Sequence, residues 1–70
     1  MSALYSKLID ELITKISFME KGDKLPSERQ LCKDYNVSRT TVRNAVGSLV
    51  NSGMLYQIQG KGTFVREQNR

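Results

Sequence analysis

The chain has 70 residues, the size of one small domain near the lower limit for a self-supporting hydrophobic core. It carries 11 Lys and Arg against 7 Asp and Glu, with one cysteine and no histidine. This composition excludes an internal disulfide and a Cys/His zinc site. The sequence also contains no set of nucleophile and base residues, so we predict neither an enzyme nor a bound cofactor. Charged residues interrupt the first 20 positions, so no signal peptide is predicted and we expect a cytoplasmic protein.

The basic charge is concentrated in the second half of the chain. Residues 1–35 carry six basic and six acidic side chains, whereas residues 36–70 carry five basic side chains and one acidic side chain. A neutral half joined to a basic half indicates that one surface faces a polyanion such as a nucleic acid. An excess of this size is also compatible with a charge that serves solubility alone.

Residues 3–20 are predicted to form an amphipathic helix, because apolar side chains recur at intervals of three and four residues. The predicted buried stripe consists of Leu4, Leu8, Leu12, Ile16 and Met19, widened by Tyr5, Ile9 and Ile13. Such a wide stripe could bind a partner, but we expect so small a domain to need it for its core.

A loop and a shorter helix are predicted next. Residues 20–24 combine one glycine with four charged side chains, and the residue before Pro26 favours an extended backbone, which allows a short strand at 24–25. Ser27 followed three positions later by Gln30 fits a capping box, so the second helix is expected to begin at this serine.

The connection after this helix predicts a helix-turn-helix. Only Asn36 and Val37 separate the helix end near Tyr35 from a second N-cap at Ser38, so the helices must cross at a steep angle. Asparagine is the non-glycine residue best suited to a positive φ in such a turn, and Cys32 is small enough for close helix approach. The side chains expected to be buried here are Leu31, Cys32 and Tyr35, the cysteine as an inert filler.

Residues 38–52 are predicted to form the second helix of this motif, with Gly53 in a left-handed conformation after its end. Its apolar side carries Val42, Ala45, Val46, Leu49 and Val50. The opposite side of its first two turns carries Arg39, Thr40, Arg43 and Asn44, with no acidic residue. Such a face is suited to base edges and phosphates, although a solvated basic surface would show the same pattern.

Residues 54–65 are predicted to form a β-hairpin with Gly60-Lys61-Gly62 at its tip. A lysine on a narrow tip suits a minor groove or a phosphate backbone, and an ordinary hairpin is the alternative. A hairpin directly after a helix-turn-helix predicts an α+β winged helix-turn-helix of three helices and a small antiparallel wing. We expect one domain over residues 1–65, followed at 66–70 by a frayed tail or the start of a linker.

Three motifs resemble the N-terminal winged-helix domain of GntR-family bacterial transcription regulators, and most resemble its HutC branch. In order, they are Pro26-Ser27-Glu28-Arg29, Asn36-Val37-Ser38-Arg39-Thr40-Thr41-Val42-Arg43 and Gly60-Lys61-Gly62-Thr63-Phe64-Val65. The resemblance implies sequence-specific binding of double-stranded DNA, with the third helix in the major groove and the wing tip in the minor groove. Departures from the family pattern occur at Asn36, Asn44 and Gly47, and we interpret the glycine as a sign of close packing rather than of DNA readout.

The resemblance also assigns candidate DNA contacts. These are Arg29, Ser38, Arg39, Thr40, Thr41, Arg43, Gln59, Gly60 and Lys61, to which we add Asn44 from the exposed helix face. Glu28 is favoured by the helix dipole, and we expect it to hold Arg39 in position rather than to touch DNA.

By the same resemblance, the full protein is expected to be a homodimeric, metabolite-responsive repressor. An effector-binding C-terminal domain would follow residue 70, and two heads would bind a pseudo-palindromic operator. The isolated 70 residues are expected to be largely monomeric. The alternatives are a head fused to an aminotransferase-like domain and a winged helix that contacts protein or RNA.

Overall fold

The computed structural model describes residues 3–66, which form three α-helices followed by a two-stranded antiparallel sheet. The elements are α1 (Ala3–Ser17), α2 (Glu28–Tyr35), α3 (Arg39–Asn51), β1 (Leu55–Ile58) and β2 (Gly62–Val65). This order confirms the predicted winged helix-turn-helix, although α1 ends at Ser17 and not at residue 20. Of the predicted tail, residues 67–70 lie outside the described residues. None of the described helices has the length and apolar character needed to cross a membrane.

One hydrophobic core joins all five elements. Its buried members are Leu8, Leu12, Ile16, Leu25, Leu31, Val42, Ala45, Val46, Leu49, Leu55 and Val65. The apolar stripes predicted for α1 and α3 supply most of this core, because helices in a small domain are held mainly by their packed faces. The core therefore fixes α3 between α1, α2 and the wing.

The predicted stripe of α1 was too wide at two positions. Leu4 is 58% exposed and Ile13 is 37% exposed, so neither belongs to the core. The buried side chains of α1, namely Leu8, Leu12 and Ile16, form a narrower strip, and α1 packs chiefly against α3. Cys32 and Tyr35 of α2 are also only partly buried, because they pack against the margin of the core rather than inside it.

Local hydrogen bonds set the boundaries of the helix-turn-helix. The backbone N–H of Gln30 donates to Ser27 Oγ at 3.1 Å, and that of Thr41 donates to Ser38 Oγ at 3.2 Å, which confirms both predicted N-caps. The capping box is incomplete, since the Gln30 side chain donates to Asp34 instead. Asn36 has a φ of 55°, which confirms the predicted left-handed turn residue.

The segment before α2 ties the wing to the helices. The N–H groups of Gly22 and Leu25 donate to the carbonyl oxygens of Val65 and Thr63, each at 2.8 Å, and Lys24 forms a single β-bridge with Phe64. The strand allowed by the sequence at 24–25 is thus reduced to this bridge beside β2. Because the same segment leads directly into α2, the wing is held at a fixed position beside the N-terminus of that helix.

Candidate nucleic-acid interface

The exposed side of α3 presents the side chains predicted for it. Arg39, Thr40, Arg43 and Asn44 are exposed, while the opposite side of the helix is buried in the core. The hydroxyls of Ser38 and Thr41 lie 3.0 Å apart, so both take part in the helix cap. The first two turns of α3 therefore offer two guanidinium groups, an amide and a hydroxyl to a partner.

A cleft separates α3 and the N-terminus of α2 from the wing. It brings together six of the predicted contact residues, namely Arg29, Arg39, Arg43, Gln59, Gly60 and Lys61. Thr41 and Asn44 line a neighbouring groove, whereas Ser38, the N-cap of α3, and Thr40, in its first turn, line neither depression. The helix face and the wing tip, which are distant in sequence, thus form one surface.

The charge of this cleft is strongly positive. Five basic side chains line it, and Glu28 is the single acid among the described residues that do so. Such a concentration of positive charge in a concave surface attracts a polyanion and raises its association rate. The described part of the cleft therefore has the electrostatic character of a nucleic-acid interface.

Lys24 is a lining residue that the sequence analysis missed. Its side chain crosses the wing next to Gly62, where an added Cβ would lie only 2.7 Å from Lys24 Cε. The φ of Gly62 is 133°, which further favours glycine at this position. The β-bridge to Phe64 places this lysine beside the wing, and no local pattern in the loop sequence indicates such a long-range contact.

Glu28 lies near the arginines of α3, as predicted, but it forms its ion pair with Arg43 and not with the predicted partner Arg39. Its Oε1 lies 3.5 Å from Nε of Arg43, one helical turn beyond the predicted partner Arg39. The pair joins the start of α2 to the second turn of α3 across the helix-turn-helix. Because Nε faces the carboxylate, the terminal nitrogens of the guanidinium remain available to a ligand.

We expect Glu28→Gln to reduce DNA specificity more than stability. The ion pair is solvent-exposed, and pairs of this kind contribute about 0–1 kcal/mol to folding. Without the carboxylate, Arg43 is less restrained and a repulsion toward phosphates is removed, so binding to mixed-sequence DNA should rise relative to a specific site. Parallel titrations of both duplexes measure the ratio, with Asp34→Asn on α2 as the charge-matched control. An unchanged ratio in Glu28→Gln would show that the pair does not position Arg43.

The packing interpretation of Gly47 was wrong. An added Cβ at this position would meet no atom within 4 Å, so no neighbour among the described residues requires a glycine there. Gly47 instead forms part of the groove lined by Thr41 and Asn44. This groove lies between α3 and the side chain of Tyr5 on α1.

Comparison with known proteins identifies a family. A family model described as bacterial regulatory proteins, gntR family, matches residues 3–65. The chain is 44% identical over 62 residues to the "Probable fructoselysine utilization operon transcriptional repressor" of Escherichia coli, covering 89% of this chain and 25% of that protein. It is 41% identical over 64 residues to the "HTH-type transcriptional repressor NagR" of Bacillus subtilis, covering 89% of this chain and 26% of that protein. The chain thus spans about a quarter of the length of these curated relatives.

The fold is also similar to that of a solved protein–DNA complex. The structure of AraR(DBD) in complex with operator ORE1 superposes with a TM-score of 0.86 and 39% sequence identity. The match covers 93% of this chain and 82% of that chain.

Proposed function

The chain belongs to the GntR family of bacterial regulatory proteins, whose winged-helix DNA-binding domain it forms, and we propose that it recognises operator DNA as the head of a repressor. The observation that carries this proposal is the cleft in which five basic side chains from the loop before α2, from α2, α3 and the wing converge. Catalysis is not part of the proposed role.

The roles of individual residues follow from their positions in this cleft. Arg39 and Arg43 project from successive turns of the exposed side of α3, and in the major groove they would donate to guanine edges. Arg29 and Lys24, at the side of the cleft, would contact phosphates. Lys61, on the tip of the wing, would enter the minor groove.

Smaller polar groups would complete the contact surface. Hydroxyl and amide side chains at the start of α3 can bond to phosphates or bases, and glycine at the wing tip permits close approach of the backbone. These groups are Ser38, Thr40, Thr41, Asn44, Gln59 and Gly60.

The relatives are about three and a half times as long as this chain, so we propose that it works with a second, C-terminal domain. That domain would bind a small-molecule effector and form a homodimer, which would place two heads on the half-sites of a pseudo-palindromic operator. The HutC-like wing supports placing the protein in that branch. Since its target is bacterial DNA, its site of action would be the cytoplasm.

The test is a selection of duplexes from a random-sequence DNA pool with the 70-residue chain, followed by titration at several salt concentrations. We expect the selected duplex to bind more tightly than a mixed-sequence duplex and affinity for both to fall as salt rises. Double-stranded RNA of the same sequence is the control, because its deep, narrow major groove does not admit a helix. Equal binding to RNA, or no binding to duplex DNA, would contradict the proposal.

A further inference from the structure

A groove runs along the flank of α3 that faces α1, and we call it the flank groove. It is lined by Tyr5, Thr41, Arg43, Asn44, Gly47, Ser48 and Asn51. Arg43 also lines the basic cleft, so the two depressions meet at this side chain. Among the described residues, no acid lines the flank groove, and its far end lies two turns beyond the part of α3 assigned to base recognition.

Gly47 is the unexplained residue of this groove. It lies in the interior of α3, where glycine destabilises a helix relative to alanine because it leaves the unfolded backbone more freedom. Its conformation is helical, and an added Cβ would meet nothing within 4 Å. Neither backbone geometry nor packing within residues 3–66 therefore explains why position 47 lacks a side chain. A partner outside the domain that approaches the helix backbone closely would explain it.

The side chains around Gly47 indicate the chemistry of that partner. Asn44, Ser48 and Asn51 are exposed and share this flank at intervals of four and three residues. They make no side-chain hydrogen bonds within the described part of the chain, so their amide and hydroxyl groups are available as donors. Neutral donors of this kind, next to one arginine, suit phosphate and sugar oxygens, which are bound without regard to base sequence.

We propose that the flank groove seats the sugar–phosphate backbone of one strand of the duplex whose bases α3 reads. In this arrangement Gly47 is the point of closest approach, and Asn44 and Ser48 donate to phosphate oxygens on either side of it. The inference rests on the proposed DNA-binding function, because continuity with the basic cleft at Arg43 is what selects DNA as the occupant. It extends the contact surface from the first turns of α3 to the helix interior.

The substitution Gly47→Ala tests the proposal because its two expected effects have opposite signs. Removing an interior glycine should raise the melting temperature of the free domain by about 4–8 °C. The added methyl group would occupy the floor of the groove and hold the DNA backbone away from its donors. Loss of one hydrogen bond to a charged group should then weaken binding to a mixed-sequence duplex by about tenfold.

Thr14→Ala on α1 is the matched control. It also replaces an exposed helical residue with alanine, and Thr14 lies outside both the flank groove and the cleft. It should stabilise the domain without changing DNA affinity. Weaker binding by both variants would assign the effect to helix stabilisation and would contradict the proposal.

A second variant keeps the test decisive if Gly47→Ala alters the fold. Ser48→Glu places a negative charge in the groove, where repulsion from a phosphate should lower affinity by about tenfold or more. Thr14→Glu adds the same charge outside it, where screening reduces its effect. If wild type binds the duplex and Ser48→Glu binds no more weakly than Thr14→Glu, the flank groove does not contact DNA. If wild type itself binds no duplex, the proposed function fails instead.

Discussion

Replacing Arg43 with alanine is expected to weaken binding to a selected duplex by roughly 5- to 150-fold more than binding to mixed-sequence DNA. This range corresponds to a bidentate arginine–guanine contact of about 1–3 kcal/mol. The side chain of Arg43 is 67% exposed in the second turn of α3, and its ion pair with Glu28 leaves the terminal guanidinium nitrogens available. Titration of both duplexes at one salt concentration measures the difference.

Two controls for this prediction distinguish a loss of base recognition from a general loss of positive charge and from a loss of stability. Lys15→Ala removes one positive charge from α1, which does not line the basic cleft, so both affinities should change little. Thermal melting of Arg43→Ala should stay close to that of wild type, because its ion pair is exposed. An equal loss of affinity for both duplexes would make Arg43 a phosphate contact and would refute its assignment to base readout.

The parts of this fold that sequence predicts well depend on short-range chemistry. Ser27 and Ser38 are N-caps because a side-chain oxygen reaches a backbone N–H only three residues away. Asn36 adopts positive φ because asparagine tolerates that conformation better than other non-glycine residues. Each of these features depends on interactions within one helical turn, so the local sequence is sufficient to predict where the helix-turn-helix lies.

The missed features depend on contacts between distant segments. The partner of Glu28 is decided by how α2 crosses α3, and a difference of one turn selects Arg43 over Arg39. Lys24 reaches the cleft only because its backbone pairs with Phe64, forty positions later in the chain. The openness around Gly47 follows from the space between α3 and α1. The periodicity of apolar residues predicts which face of a helix is buried, but it does not predict how far that helix lies from the neighbouring elements.

Joining two copies of the domain should raise the apparent affinity for a duplex with two half-sites by about 10²- to 10⁴-fold. In the proposed arrangement a single head reads one half-site, and non-specific binding through phosphates lies at about 10⁻⁴–10⁻⁶ M near physiological salt. The 70-residue chain should therefore bind weakly and be largely monomeric at micromolar concentration. Leu8, Leu12 and Ile16 of the apolar stripe on α1 are at most 2% exposed, so the centre of this stripe is used internally, and only its members Leu4 and Ile13 remain exposed.

A fusion of two domains through a flexible linker, compared with the single domain, measures this gain. The tethered pair should lose its advantage on a duplex with one half-site, because the second head then has no specific partner. Sedimentation of the single domain tests its monomeric state independently. A stable dimer in sedimentation would show that this domain has a self-association surface. If single and tethered heads bound the two-site duplex with equal affinity, one head would already make the complete contact. If the domain is monomeric and tethering still raises the affinity strongly, two heads are needed because the DNA has two half-sites, and not because the domains bind each other.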